Sequence, residues 1–296
     1  MALKQLENFR DLATFLLRIK DVGLLVGDAS TLLESVPANT FDCCVTSPPY
    51  WGLRDYGVPH QIGAEEKLDD YIEHLVEVLR EVRRTLKDEG TLWLNLGDSY
   101  TSGNRKWRDA DDKNPARGMD YRPPTPEGLK PKDLIGVPWK VAFALQADGW
   151  FLRSDIIWHK PNCQPESVKD RPTRCHEYLF LFSKAKFYYY DYESVLEPAN
   201  GGGGLRNLRT VWSVNTEASP QAHFATFPVA LIEPCIKAGS PKGGFVLDPF
   251  FGSGTVGAAC LKLQRRALGI ELNEEYAKVA RRRLGEGLPL WQNVAP

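Results

Sequence analysis

Apolar positions along the chain follow two different periods. Leu3, Leu6, Phe9, Leu12, Phe15, Leu16 and Ile19 recur at helical spacing over residues 2–20. They predict an amphipathic helix that covers the domain or meets another subunit. Tyr71, Ile72, Leu75, Leu79, Val82 and Leu86 predict a second helix over 69–86, ended by Gly90, and a third is expected over 132–147. Short continuous apolar runs at 22–26, 41–45, 91–96, 244–247 and 267–270 read instead as strands of a parallel sheet buried on both faces. Runs at 151–158, 176–183 and 187–191 have short connections, as expected of an antiparallel edge. Residues 99–131 lose all periodicity, and so long a structureless segment is expected to be functional, a lid or a contact loop.

The presumed parallel strands end in polar groups: Gly27-Asp28, Thr46-Ser47, Gly97-Asp98, Asp248 and Glu271. Ligands of open α/β sheets bind at these carboxyl ends. Two successive prolines, Pro48-Pro49, cannot extend a ladder because neither has an N–H to donate. The stiff exit they make offers a hydroxyl at Ser47, carbonyls without neighbouring donors, and the aromatic faces of Tyr50 and Trp51. A flat base with an exocyclic amine suits that surface, the oxygens accepting from its NH2 and Tyr50 stacking on its ring. A rigid strand exit with two packing aromatics is the competing explanation. Likewise, Asp28 at a strand end can accept from an amino group or cap the helix that follows.

Residues 248–255, Asp-Pro-Phe-Phe-Gly-Ser-Gly-Thr, join a buried strand to a helix through a glycine loop whose backbone can approach a ligand. Glu271 follows Asp248 by 23 residues, where a strand-end carboxylate can hold both ribose hydroxyls. The unit therefore indicates a cofactor containing a nucleoside. The loop lacks the third glycine of a dinucleotide fingerprint, which disfavours a pyrophosphate.

Bulk properties narrow the class further. A chain of 296 residues, 43% hydrophobic and 25% charged, can bury one large α/β domain. No apolar run reaches membrane-spanning length, and Lys4, Glu7, Arg10 and Asp11 interrupt any signal-peptide core. The six cysteines show no C-x-x-C pair, so reduced core thiols, a cytoplasmic location and no metal site are expected. Net charge is only −1, but it is unevenly spread. Residues 1–98 carry 10 Lys/Arg against 17 Asp/Glu, and residues 99–210 carry 18 against 14, as suits a protein meeting a polyanion over one face.

The run at 248–255, taken with Thr46-Ser47-Pro48-Pro49-Tyr50, resembles the amino-group DNA methyltransferases that use S-adenosylmethionine. Ser47 precedes Asp248 by 201 residues, an order similar to the family's permuted beta arrangement. Gly27-Asp28, Gly97-Asp98, residues 155–161, His176-Glu177-Tyr178, residues 223–228 and residues 269–273 extend the likeness over nearly the whole chain. The resemblance implies a Rossmann-like, seven-stranded, mostly parallel sheet with an antiparallel edge and circularly permuted motifs. It implies one catalytic domain over 1–296, with DNA-recognition insertions around 99–131 and 163–216.

It also implies site residues. The cofactor would lie over Asp248, Pro249, Phe250, Gly252, Ser253, Gly254 and Thr255, with Glu271 on the ribose, Asp28 near the adenine amino group, and Ala29, Thr46, Leu272 and Asn273 also touching it. His223, Phe224 and Pro228 would cover its methionine end. Ser47, Pro48, Pro49 and Tyr50 would hold the flipped base, with Asp98 as a further acceptor or a helix cap. Trp51, Arg54, Trp158, His159, Lys160, Lys169, Arg171, Arg174, Arg206 and Arg209 would contact DNA. Serine before Pro-Pro-Tyr is similar to enzymes that methylate cytosine N4, whereas Asp or Asn there is typical of adenine N6 enzymes. Cytosine is therefore the expected target and adenine the alternative. Double-stranded DNA is the expected partner, and a homodimer and a cognate restriction endonuclease are compatible with the resemblance. Competing classes are a dinucleotide oxidoreductase, a methyltransferase for protein glutamine or RNA, and a DNA-binding module without activity.

Overall fold

The computed structural model describes residues 10–59, 61–101, 122–199, 201, 203–217, 227–285 and 290–292. Its frame is a nine-stranded sheet of order β11-β1-β10-β9-β2-β3-β5-β4-β8. The strands are β1 (Val22–Val26), β2 (Phe41–Thr46), β3 (Leu86–Leu96), β4 (Phe151–His159), β5 (His176–Ser183), β8 (Val211–Ser213), β9 (Phe245–Asp248), β10 (Arg266–Glu271) and β11 (Leu290–Gln292). β6 (Glu197–Pro198) and β7 (Leu205–Arg206) form a separate two-stranded ribbon. Every pairing in the large sheet is parallel except those of β5 with β3 and with β4. Seven strands of the large sheet match the expected number, and the three-residue β8 and β11 extend its two edges. The antiparallel strand is interior, because β4 beyond it returns to the parallel direction.

Alternation along the buried strands feeds two separate hydrophobic layers. Leu25, Cys44, Leu92, Leu94, Phe180, Phe182, Leu247 and Leu268 point to the face covered by α1 (Arg10–Arg18), α2 (Ala29–Glu34), α3 (Leu68–Thr85) and α4 (Val137–Ala147). Leu24, Cys43, Val45, Trp93, Leu179, Leu181, Val246 and Ala267 point to the face covered by α5 (Val229–Gly239), α6 (Thr255–Lys262) and α7 (Glu274–Leu284). Strands covered on both faces carry no polar alternation, which explains their uniformly apolar sequence. Each fully buried Leu contributes about 1.5–3 kcal/mol through removal from water.

Three boundaries differ from the sequence pattern. The third helix starts at Val137 rather than Lys132, because Gly136 takes a left-handed conformation (φ 79°) and Pro138 sits in the first turn. β3 begins at Leu86, so Gly90 lies inside the strand rather than ending the preceding helix. Residues 187–191, expected as an aromatic strand, are irregular; Tyr190 instead stacks on Trp93, with ring centroids 6.3 Å apart. The first eight residues of the expected N-terminal helix, 2–9, lie outside the described residues. Among the described residues no helix is long and apolar enough to cross a membrane.

Candidate active site

β2 and β9 pair directly, Cys43 with Val246 and Cys44 with Leu247, so their carboxyl ends emerge side by side. There the Thr46 hydroxyl donates to Asp248 Oδ1 at 2.7 Å, bonding the two loops across the sheet. Beyond this stitch, a cavity of about 340 Å³ opens. Ser47, Pro48, Pro49 and Tyr50 line one end, and Asp248, Pro249, Phe250, Gly252 and Thr255 line the other. Asp28, Ala29, Glu271, Leu272 and Asn273 complete the latter end, while Arg54, Trp158 and Lys160 border the same space.

At the glycine loop, the backbone of Gly252 and Gly254 adopts positive φ (52° and 79°), which favours glycine. The Gly252 N–H donates to Glu271 Oε2 at 2.7 Å and the Asn273 N–H to Oε1 at 2.8 Å, so this carboxylate is held rigidly at the end of β10. Burial pushes Glu271 up to about 7, against the backbone donors that favour its ionised form. Burial also pushes Asp248 up to about 7, partly countered by the bonds from Thr46 and the Phe250 N–H. Asp28 caps α2, accepting from the Thr31 N–H at 3.0 Å, and also lines the cavity.

At the other end, the Tyr50 hydroxyl donates to Glu177 Oε2 at 2.8 Å, and the Asn95 amide donates to the same oxygen at 3.2 Å. Lys160 pairs with Glu177 Oε1 and sits 4.1 Å from the centroid of the Trp158 ring, a cation–π contact. Burial holds the Tyr50 hydroxyl well above its ordinary range, with the Glu177 charge acting in the same direction. Neither Asn95 nor Glu177 is assigned a site role by the sequence, although His176-Glu177-Tyr178 belongs to the resemblance. Asn95 lies inside an apolar run and Glu177 begins one. A polar residue in a strand otherwise buried on both faces was the available signal.

Several candidates serve elsewhere. Asp98 does not line the cavity: its Oδ1 accepts from the N–H groups of Ser99, Gly136 and Val137 at 2.9, 2.9 and 3.0 Å, tying β3 to the start of α4. Trp51 is buried and donates to the Glu65 carbonyl at 2.9 Å, which makes it a core residue rather than a DNA contact. Ser253 is buried and accepts from Arg283 at 3.1 Å, Gly254 precedes α6, and Pro228 starts α5; none of the three lines the cavity. Among the basic candidates, Arg171 pairs with Glu166, Arg174 lies 3.7 Å from Asp98, and Arg206 and Arg209 both pair with Glu197. His159 Nδ1 lies 3.0 Å from the Ser213 hydroxyl, and Lys169 is exposed. His223, Phe224 and residues 102–121 lie outside the described residues.

A carboxylate-ended parallel sheet, a glycine loop and an aromatic Pro-Pro-Tyr exit around one cavity define an α/β enzyme that brings a nucleoside cofactor to a second planar substrate. A model of the DNA methylase family matches residues 41–282, and the chain belongs to this family of S-adenosylmethionine-dependent amino-group methyltransferases. It is 64% identical over 267 residues to the Type II methyltransferase M.SmaI of Serratia marcescens, covering 90% of this chain and 91% of that protein. To the Type II methyltransferase M.Cfr9I of Citrobacter freundii it is 58% identical, over 90% of this chain and 89% of that one. Its fold is that of the solved PvuII DNA methyltransferase (cytosine-N4-specific), with a TM-score of 0.68 at 20% identity over 94% of this chain and 89% of the other. A solved complex of M1.HpyAVI with SAM shares it at a TM-score of 0.55 and 19% identity, over 89% and 100% of the two chains.

Proposed function

We propose that the chain methylates the exocyclic N4 of cytosine in duplex DNA at a defined sequence, acting on a flipped base. The observation that carries this reading is the single cavity shared by the Ser47–Tyr50 loop and the Asp248–Gly252 loop. The relatives' name, Type II methyltransferase, agrees with a site-specific DNA substrate.

The cofactor end fits S-adenosylmethionine. Asp28, Asp248 and Glu271 surround it, and among the cavity's lining residues five carboxylates face only two cations. Such a lining accepts hydroxyl and amino donors and tolerates a cation, but repels a polyphosphate. This argues against NAD and hence against the oxidoreductase alternative. Glu271 would take the ribose hydroxyls, Asp28 the adenine amino group, and Phe250 the sulfonium region. S-adenosylmethionine supplies an electrophilic methyl group on a positively charged sulfur.

An exocyclic amine is a poor nucleophile because its lone pair is conjugated into the ring. Ser47 Oγ and the Pro48 carbonyl would accept its two hydrogens and localise the lone pair toward the methyl donor. The Pro49 carbonyl is taken by the Tyr71 hydroxyl at 3.0 Å, so it does not compete for this role. Tyr50 would stack on the extruded base. Rate enhancement then comes from position and fixed dipoles, without a covalent intermediate. The deeply buried Cys43 and Cys44, whose thiols burial raises in pKa, take no part.

Serine before Pro-Pro-Tyr supports cytosine over adenine, and segments 99–131 and 163–216 are the proposed carriers of sequence recognition. Duplex DNA incubated with methyl-labelled S-adenosylmethionine, then digested to nucleosides, tests the reading. N4-methylcytosine is expected; N6-methyladenine would reassign the base, and absence of both would remove the proposed function.

A further inference from the structure

The antiparallel direction of β5 brings its amino end, rather than its carboxyl end, to the rim where the parallel strands finish. Glu177 stands there with both carboxylate oxygens engaged, Oε1 by Lys160 and Oε2 by Tyr50 and Asn95. Asn95 also donates to the Tyr178 carbonyl at 3.0 Å, so it cannot drift from the carboxylate. A carboxylate only accepts, so the Tyr50 hydroxyl donates to Glu177 and leaves its own lone pairs for another donor. That donor is the Ser47 hydroxyl, 3.4 Å away. The Tyr50 ring is seated against Gly97, where an added Cβ would lie 2.5 Å from Tyr50 Cε2 and 3.3 Å from Glu177 Cδ. Ser47, Tyr50 and Glu177 therefore form a continuous line of hydroxyls ending on an anion, while Asp98 is committed to the start of α4.

We propose that Glu177 is the terminal acceptor of the proton released from the target amine, reached through Ser47 and Tyr50. The proposal rests on Ser47 being the amine's hydrogen-bond acceptor, but it holds for either base. As the N–CH3 bond forms, the donor's methyl–sulfur bond breaks and the sulfur keeps the electron pair, leaving the amine nitrogen positive. The nitrogen passes one proton to Ser47 Oγ, Ser47 passes its own to Tyr50 Oη, and Tyr50 passes its own to Glu177 Oε2. The amine and Glu177 end neutral, both hydroxyls are restored, and nothing is oxidised. An ammonium on the exocyclic nitrogen of an electron-poor base ring regains its conjugation on losing a proton and is a far stronger acid than a carboxylic acid, so transfer runs downhill. Lys160 pairs with the other carboxylate oxygen, Oε1, and leaves Oε2 to the relay. The Tyr50 hydroxyl, held well above its ordinary pKa by burial, relays a proton without persisting as a phenolate.

Single-turnover methyl transfer with excess enzyme at saturating S-adenosylmethionine tests the relay in the wild type, E177Q, Y50F and the double variant. Each single variant is expected to slow transfer about 10²-fold. S-adenosylmethionine affinity should stay within about twofold, and the double variant should be no slower than either single, since one path is cut once. A merely structural role would change affinity or thermal midpoint. Near-wild-type rate in E177Q or additive losses would each overturn the relay. If E177Q does not fold, Y50F decides, because Phe keeps the ring and removes only the hydroxyl: an unchanged rate overturns the relay, and the expected loss supports it. A wild-type protein that labels no base refutes the functional reading itself, whereas an active wild type with unaffected variants refutes only the relay.

Discussion

Thr46→Val removes the bond that joins the two halves of the active-site rim while keeping side-chain shape and β-branching. Thr46 is fully buried and Asp248 is 2% exposed, so no solvent replaces the lost donor. Asp248 Oδ1 keeps a second bond, from the Phe250 N–H at 3.1 Å. The cost should depend on the charge of Asp248, which titrates near 7 in the folded chain. The Thr46 bond favours the ionised form, so its removal costs more where Asp248 is charged. At pH 8 a hydrogen bond to a charged group contributes about 1.5–3 kcal/mol, and at pH 6 a neutral one contributes about 0.5–1.5. At roughly 2 °C per kcal/mol for a domain of this size, the thermal midpoint should fall by about 3–6 °C at pH 8 and about 1–3 °C at pH 6. Calorimetric or denaturant unfolding of both proteins at the two pH values measures this. An equal or larger loss at pH 6 would refute the assignment of Asp248 as a buried carboxylate ionised with the help of Thr46.

Other consequences can be checked independently. Asp248 and Glu271 both have folded pKa values near 7, above their unfolded values of 3.8 and 4.5. Their contribution to stability is fully present below about pH 4 and is lost as pH rises through about 7. A cationic, hydroxyl-bearing cofactor favours their ionised forms, so its affinity should rise between about pH 6 and pH 8 with proton release; calorimetry in buffers of different ionisation enthalpy would expose a flat profile. Gly269→Ala would place a Cβ 2.2 Å from Phe251 Cγ beneath the glycine loop. It should cost about 1–3 kcal/mol of stability and weaken cofactor binding, and an unchanged midpoint with unchanged affinity would contradict that packing. Asp98→Ala strands three backbone donors, two of them at the start of α4, and should cost about 1–3 kcal/mol. The folded fraction should keep its methyl-transfer rate at saturating substrate; a collapse of that rate in well-folded protein would return Asp98 to the chemistry.

Much of the site was legible because its residues carry local backbone requirements. Pro48-Pro49 must end a ladder, Gly252 and Gly254 must allow a left-handed turn, and Glu271 closes an apolar strand. The parallel strands were equally visible, since burial on both faces demands unbroken apolar runs. Asp98 was misplaced for a complementary reason. A carboxylate at a strand's carboxyl end has the same local sequence whether it faces a cavity or the backbone donors at the start of the next helix. The pairing of Arg206 and Arg209 with Glu197, which lies on a separate β ribbon, was not legible in the sequence because it depends on the fold of that ribbon.

The sequence by itself determined the alternation of buried strands and helices, the two loops and the chemistry each can offer, because these depend on periodicity and on proline and glycine backbone limits. Only the tertiary structure decided which strand ends meet. It set β2 beside β9, so that Thr46 reaches Asp248, and it ran β5 against its neighbours, so that Glu177 reaches Tyr50. Strand order and direction follow from how the helices cover both faces of the whole sheet, and no local window of sequence contains that information.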